Sequence, residues 1–194
     1  MAQFTVLTVC TGNVCRSPLA EMLLRHAFAE LPITVHSAGT HALVGRQMPD
    51  PQLEIAKELG IENADSHRGK QITLEHVDSA DLILAMGREH RSAAVELTPK
   101  ALRKTFTLRE LARIAEVVPD EDLLVEDSRG PTNRLRAAVE AAALNRGVAL
   151  PPENPDDNDV LDPFRRSQET YLASRDQLVP AVDDVTKYLK RAIP

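Results

Sequence analysis

The sequence predicts an α/β fold, a three-layer sandwich in which helices flank a four-stranded parallel sheet. Short apolar runs rich in β-forming residues alternate with stretches whose apolar residues recur at helical spacing. Alternation of this kind implies parallel strands, right-handed crossovers and helices on both faces of the sheet. A length of 194 residues is typical of one domain, so we expect a single domain over residues 1–194.

Local patterns place the strands and the first two helices. Ser17 before Pro18 is typical of an N-cap followed by the first helical residue. Asp50-Pro51 should open a second helix that ends at Gly60. The expected strands lie at residues 4–9, 33–37, 81–86 and 104–107.

The last third of the chain has a less regular pattern. Residues 132–145 predict a helix, and residues 167–191 predict a final helix that Pro180 would bend. Residues 151–162 contain acidic side chains and no basic one, a composition that favours a solvated loop.

Composition excludes several classes of function. The net charge of −6 provides no overall positive field that could hold nucleic acid or an acidic membrane surface. The first residues lack the basic start of a signal peptide, and no apolar run approaches the ~18 residues of a membrane span. We therefore expect a cytoplasmic protein without membrane insertion or a nucleic-acid partner. Two cysteines do not make a disulfide framework, and the histidine spacing predicts no metal site.

The string CTGNVCRSP, residues 10–18, follows the first strand and precedes the first helix. A glycine-containing turn at a helix N-terminus binds anions, because successive backbone N–H groups and the helix dipole face the ligand. The guanidinium of Arg16 could hold two phosphate oxygens at once. We expect this positive field to favour the thiolate form of Cys10.

A thiolate beneath a bound phosphate predicts covalent catalysis. Cys10 would attack phosphorus, Arg16 and the loop amides would hold the equatorial oxygens, and water would later release phosphate. This chemistry needs no metal. Expulsion of a phenolate needs a proton donor, so we expect one carboxylic acid nearby.

The loop resembles the signature of the low-molecular-weight protein tyrosine phosphatase family, in which Cys, five residues, Arg and Ser stand near the N-terminus. This resemblance assigns Cys10 as nucleophile, Arg16 as phosphate clamp and Asp162 as general acid, with no cofactor. Asp127, Asp157 and Asp159 remain alternative acids. Further strings match in the family's order: Ser37-Ala38-Gly39-Thr40, Asp50-Pro51, Ser66-His67-Arg68, residues 81–86 and Asp162-Pro163-Phe164.

The resemblance also implies how the loop is built. Asn13 would adopt a left-handed conformation, held by hydrogen bonds to Ser17, Ser37 and His67. Cys15 could form a reversible disulfide with Cys10 that protects the nucleophile from over-oxidation. The expected substrate-binding residues are the loop positions Thr11, Gly12, Asn13, Val14 and Cys15, together with Leu43 and Phe164.

Substrate specificity remains open between branches of the family. Leu43 and Phe164 stand where eukaryotic members carry aromatic pocket residues, and their surroundings are similar to the bacterial subgroup that acts on tyrosine kinases of capsule and exopolysaccharide assembly. We therefore predict a protein-tyrosine phosphatase whose partner is a phosphorylated protein such as a tyrosine kinase. The excess length over typical members predicts a family-atypical insertion at about residues 113–158.

Three alternatives accompany this prediction. A branch that removes phosphate from protein arginine shares the CTGN string, the Phe-Thr-Leu at 106–108 and the string DVLDPF, but carries Thr where this chain has Val14. An aliphatic Val14 matches the tyrosine branch. The second alternative is an arsenate reductase that uses an external thiol. The third is a phosphate-binding module without turnover.

Overall fold

The computed structural model describes residues 3–123 and 130–193. Its sheet has four parallel strands in the order β2-β1-β3-β4, which confirms the predicted fold class. Their bounds are Phe4–Cys10 (β1), Ile33–Gly39 (β2), Leu82–Ala85 (β3) and Thr105–Thr107 (β4). The central position of β1 places the loop after it at the middle of the carboxyl edge, where parallel α/β sheets bind ligands.

Helices separate the strands and complete the fold after β4. Three-residue to six-residue 3₁₀ turns lie at Ala64–Ser66, Pro99–Lys104, Asp120–Asp122 and Pro155–Asn158. The α-helices are Arg16–Ala27 (α1), Asp50–Glu58 (α2), Leu74–Ser79 (α3), Arg88–Leu97 (α4), Leu108–Val117 (α5), Pro131–Asn145 (α6) and Gln168–Arg191 (α7). Among the described residues, none of these helices is both long and apolar enough to cross a bilayer.

Side chains of β1 alternate between the two faces of the sheet, as the period of a strand requires. Phe4 and Val6 belong to the larger core, whereas Leu7 and Val9 belong to the smaller one. Cys10 continues the first set and joins the larger core, which also contains residues of α1 and α7. The strand period therefore decides on which face the Cys10 thiol lies.

The N-cap prediction for Ser17 differs from the structure. The first helix begins at Arg16, and Ser17 is not its N-cap but a buried residue of its first turn. The Ser17 hydroxyl instead meets the loop, which folds back over the start of the helix. Pro180 lies at an exposed position inside α7.

The region of the predicted insertion contributes to the main core. Leu135, Ala138 and Ala142 of α6 are buried in the larger core. The Tyr188 hydroxyl of α7 donates a 2.7 Å hydrogen bond to the Ala138 carbonyl, which joins the two helices. Residues 124–129, including the alternative acid Asp127, lie outside the described residues.

Candidate active site

The loop of residues 10–16, called the phosphate loop below, turns its carbonyls outward. Backbone N–H groups of Thr40, His41 and Leu43 donate to the carbonyls of residues 10, 11 and 12, at 2.9, 3.0 and 2.9 Å. The carbonyl of Asn13 accepts from His67 Nε2 at 2.7 Å. In a trans peptide the following N–H points the opposite way, so the N–H groups of residues 11–14 are directed away from these outer partners. The loop thereby presents consecutive donors, the arrangement that binds an oxyanion.

Asn13 fixes the sharpest bend of the phosphate loop. Its φ of 53° is the left-handed conformation that the resemblance implies. The side-chain amide donates to Ser17 Oγ at 3.0 Å, and its oxygen accepts from the Lys70 backbone N–H at 2.8 Å. The expected contact with Ser37 is wrong, because the Ser37 hydroxyl donates to the buried Glu21 carboxylate instead.

His67 supports the same bend from outside. Burial lowers its pKa, and a carbonyl oxygen can only accept, so the neutral ring must carry its proton on Nε2 to donate to Asn13. The side chain is 8% exposed and does not line the pocket over the phosphate loop that is described below. His67 can therefore shape the phosphate loop without touching a substrate.

The two cysteines occupy different environments although only four residues separate them in the loop. Cys10 Sγ lies 2.9 Å from Ser17 Oγ and accepts from the Asn13 backbone N–H at 3.3 Å. These are partners that stabilise charge on sulfur. Burial, followed by the charge of Cys10, raises the pKa of Cys15 to about 12, although a hydrogen bond with Tyr171 acts in the opposite direction. Cys15 is thus a neutral thiol, and both cysteines are free.

Arg16 is buried at the start of α1 and is only partly paired. Its Nη1 donates to the Val160 carbonyl at 3.0 Å, and its Nη2 lies 2.8 Å from Asp162 Oδ2. Within residues 3–123 and 130–193, Arg16 Nε is buried without a hydrogen-bond partner. A buried donor without a partner is costly, and an oxyanion in the phosphate loop would supply one.

The acid loop, residues 155–162, contains Asp162 and two of the alternative acids, Asp157 and Asp159. The structure places these three carboxylates in different surroundings. The Asp159 carboxylate accepts from the Arg88 backbone N–H at 2.8 Å and pairs with the Arg88 guanidinium. Asp157 lies 3.8 Å from Arg109. Only Asp162 of these three lines the catalytic pocket, where its side chain is 48% exposed.

The catalytic pocket has a volume of about 180 Å³ and lies over the phosphate loop. Apolar side chains form much of its wall, and His41, which sequence reasoning did not single out, also contributes. Asn13 is absent from the lining because its side chain turns into the structure. The lining residues are Cys10, Thr11, Gly12, Val14, Cys15, Arg16, His41, Leu43, Asp162 and Phe164.

His90 is a second contact of the phosphate loop that local sequence did not indicate. It is 1% exposed on α4, and its Nε2 lies 2.8 Å from Thr11 Oγ1. Burial, followed by the Arg16 guanidinium, lowers the pKa of His90 to about 4, so the ring is neutral. A buried neutral imidazole therefore holds the Thr11 hydroxyl, which in turn lies 3.4 Å from Arg16 Nη2.

Comparisons with known proteins agree with this geometry. The model of the family described as low molecular weight phosphotyrosine protein phosphatase matches residues 5–143. A protein-arginine-phosphatase from Geobacillus stearothermophilus is 32% identical over 188 residues, which cover 96% of this chain and 97% of that protein. The low molecular weight protein-tyrosine-phosphatase Etp of Escherichia coli is 37% identical over 117 residues, or 60% of this chain and 76% of Etp.

Solved structures give the same result. The YwlE arginine phosphatase from Geobacillus stearothermophilus has a TM-score of 0.66 at 32% identity, with 96% of this chain and 93% of that chain covered. The tyrosine phosphatase Wzb from Escherichia coli K30 shares the fold, with a TM-score of 0.65 at 24% identity over 96% of this chain and 98% of that chain. The chain therefore belongs to the low molecular weight phosphotyrosine protein phosphatase family, a family of phosphoprotein phosphatases, as its sequence predicted.

Proposed function

We propose that the protein removes phosphate from phosphotyrosine in proteins through a cysteinyl-phosphate intermediate formed on Cys10. The observation that carries this proposal is the phosphate loop itself. Its outward carbonyls leave consecutive N–H donors for an oxyanion. The Cys10 sulfur lies at the same loop, as does Arg16 Nε, which has no hydrogen-bond partner among the described residues. The neutral Cys15 thiol is a poor nucleophile, so Cys10 is assigned the covalent step.

In the first step the Cys10 thiolate attacks phosphorus. A sulfur–phosphorus bond forms as the ester phosphorus–oxygen bond breaks, and the Asp162 carboxyl gives its proton to the departing phenolate. Arg16 and the loop N–H groups hold the three equatorial oxygens throughout. In the second step the Asp162 carboxylate takes a proton from water, the water oxygen bonds to phosphorus, and the thiolate leaves.

Two variants test the chemical assignments. Cys10→Ser should abolish turnover of an aryl phosphate while calorimetry still detects binding of inorganic phosphate. Asp162→Ala should slow hydrolysis of phenyl phosphate by ~100-fold or more, because a poor leaving group needs the proton. The better leaving group of p-nitrophenyl phosphate should be affected far less.

Asp157→Ala is the matched control, since it removes an exposed carboxylate of the acid loop that does not line the catalytic pocket. Equal slowing of both esters by Asp162→Ala would contradict the role of Asp162 as general acid.

Two outcomes would indicate another class of function. A wild-type protein that binds phosphate but releases none from an aryl phosphate would be a phosphate-binding module. Thiol-dependent reduction of arsenate would indicate an arsenate reductase.

The pocket wall supports an aryl substrate. Val14, Leu43 and Phe164 offer apolar contacts to a phenyl ring. The resemblance adds that an aliphatic residue at position 14 matches the tyrosine branch.

Phosphoarginine in proteins is the second candidate substrate. The observation in its favour is the alignment of almost the whole chain with a protein-arginine-phosphatase. Phosphotyrosine and phosphoarginine peptides of the same sequence should be compared in the wild type and in Val14→Thr. We expect the wild type to prefer phosphotyrosine, and a wild-type preference for phosphoarginine would reverse the assignment.

The partner and location follow from the same proposal. The subgroup resemblance implies a cytoplasmic protein whose partner is a tyrosine kinase of polysaccharide assembly. Incubation with such a kinase, autophosphorylated on tyrosine, should release phosphate in the wild type but not in Cys10→Ser. A kinase that keeps its phosphate while a phosphotyrosine peptide is hydrolysed would contradict this choice of partner.

A further inference from the structure

A second pocket, called the arginine pocket below, lies between α4, α5 and the chain that follows α6. Its volume is about 330 Å³, and none of its lining residues also lines the catalytic pocket. Guanidinium groups dominate the lining, and Glu110 is its single carboxylate among residues 3–123 and 130–193. The four arginines are Arg88, Arg91, Arg113 and Arg146.

The charges of the arginine pocket do not balance. Arg88 is paired with Asp156 and Asp159 of the acid loop. Two of the other three guanidinium groups share Glu110: Arg146 Nε lies 2.9 Å from one carboxylate oxygen and Arg91 Nε 4.0 Å from the other. Within the described ranges Arg113 has no carboxylate partner and donates only to the neutral Asn158 Oδ1, at 2.8 Å. One negative charge thus faces three positive charges.

The same arginines carry unused donors. The Nε atoms of Arg91 and Arg113 are buried and lack a hydrogen-bond partner in the part of the chain that the structure describes. Burial lowers the pKa of Arg146, and the positive charge of Arg91 acts in the same direction while Glu110 opposes both. Buried donors and guanidinium groups that repel one another are costly, and an anion between them would remove both costs.

We propose that the arginine pocket is a second anion site, which binds a small molecule bearing a phosphoryl group. Planar guanidinium forks match the oxygens of a tetrahedral phosphoryl group, and three of them converge on this pocket. Its volume lies at the lower end of the roughly 300–1,000 Å³ of small-molecule sites, which suits a compact metabolite. The site does not depend on the chemistry proposed for Cys10.

Calorimetric titration with inorganic pyrophosphate at constant ionic strength tests the site. The double variant Arg113→Gln, Arg146→Gln should bind one equivalent fewer than the wild type, whether or not the catalytic pocket also takes the probe. Arg113→Gln alone breaks no ion pair among the described residues and should weaken that equivalent about tenfold or more. Hydrolysis of an aryl phosphate by each variant reports that the fold and the catalytic pocket persist.

Arg175→Gln is the matched control. Its side chain is 28% exposed, close to the 25% of Arg146, and it also pairs with carboxylates, but it lies on α7 away from the arginine pocket. This variant should bind pyrophosphate as the wild type does. Equal stoichiometry and affinity in the wild type and in Arg113→Gln would overturn the proposal, even if the double variant failed to fold.

Discussion

His90 links the stability of the fold to pH through its contact with the phosphate loop. The ring is buried against Thr11, and burial followed by the Arg16 guanidinium lowers its pKa from an ordinary 6.5 to about 4. In the unfolded chain the imidazole regains its ordinary pKa. The folded state therefore resists protonation of a group that the unfolded state protonates readily.

The sign and size of the effect follow from linkage. Above pH 6.5 both states leave His90 neutral, and the contribution is fully present. As the pH falls from 6.5 toward about 4, only the unfolded state binds the proton, so the free energy of unfolding decreases. At about 1.36 kcal/mol per pH unit, this window corresponds to a loss of roughly 3 kcal/mol from His90 alone.

Denaturant unfolding at several pH values between 7.5 and 4.5 measures this loss in the wild type and in His90→Gln, which cannot titrate. The variant should be less stable at pH 7.5, because the contact with Thr11 is altered, yet its stability should fall less steeply on acidification. His26→Gln, at an exposed position of α1, should keep the wild-type slope. Parallel curves for the wild type and His90→Gln would refute the coupling.

Two further substitutions test packing around the same framework. Gly39→Ala would place its Cβ against the Thr11 carbonyl oxygen, closer than van der Waals contact allows. We therefore expect the free energy of unfolding, measured by thermal denaturation, to fall by about 1–3 kcal/mol and kcat/KM to decrease. Gly147→Ala is the control and should change neither, because among the described residues no atom lies within 4 Å of its Cβ. Tyr188→Phe removes the buried hydrogen bond to Ala138 and should cost about 1 kcal/mol, or ~2–4 °C in Tm, and an unchanged Tm would contradict that contact.

The fold could be predicted because its signals are local. Each strand is a short apolar run, and the phosphate loop is contiguous in sequence, so the sequence alone predicts that Cys10, Gly12 and Arg16 lie at one site. The sequence predicts Ser17 correctly at the start of the first helix, but its predicted role as N-cap is wrong. A serine hydroxyl at this position can either cap the helix or bond to the preceding loop, and the spacing of residues does not distinguish the two.

Contacts between distant segments could not be predicted from one sequence. The side-chain oxygen of Asn13 accepts from the Lys70 backbone N–H. Every non-proline residue has a backbone N–H, so nothing in the sequence identifies Lys70 as the donor. The contact between His90 and Thr11 spans 79 residues, and His90 stands in no motif. Likewise, the sequence cannot distinguish Asp159 from Asp162 as the general acid, because the partner that occupies Asp159 is Arg88 of α4, which is 71 residues away.

Arg16 connects substrate binding with proton transfer in the proposed mechanism, because its guanidinium contacts Asp162 and also lies at the phosphate loop. Arg16 Nη2 lies 2.8 Å from Asp162 Oδ2, so the guanidinium holds the carboxylate beside the phosphate loop. An entering phosphate group competes for the same guanidinium and places its own negative charge beside Asp162. The Asp162 carboxyl, once released from Arg16, can turn to the leaving-group oxygen that it protonates in the first step. In this mechanism, substrate binding itself frees the general acid, because one buried arginine serves both anions.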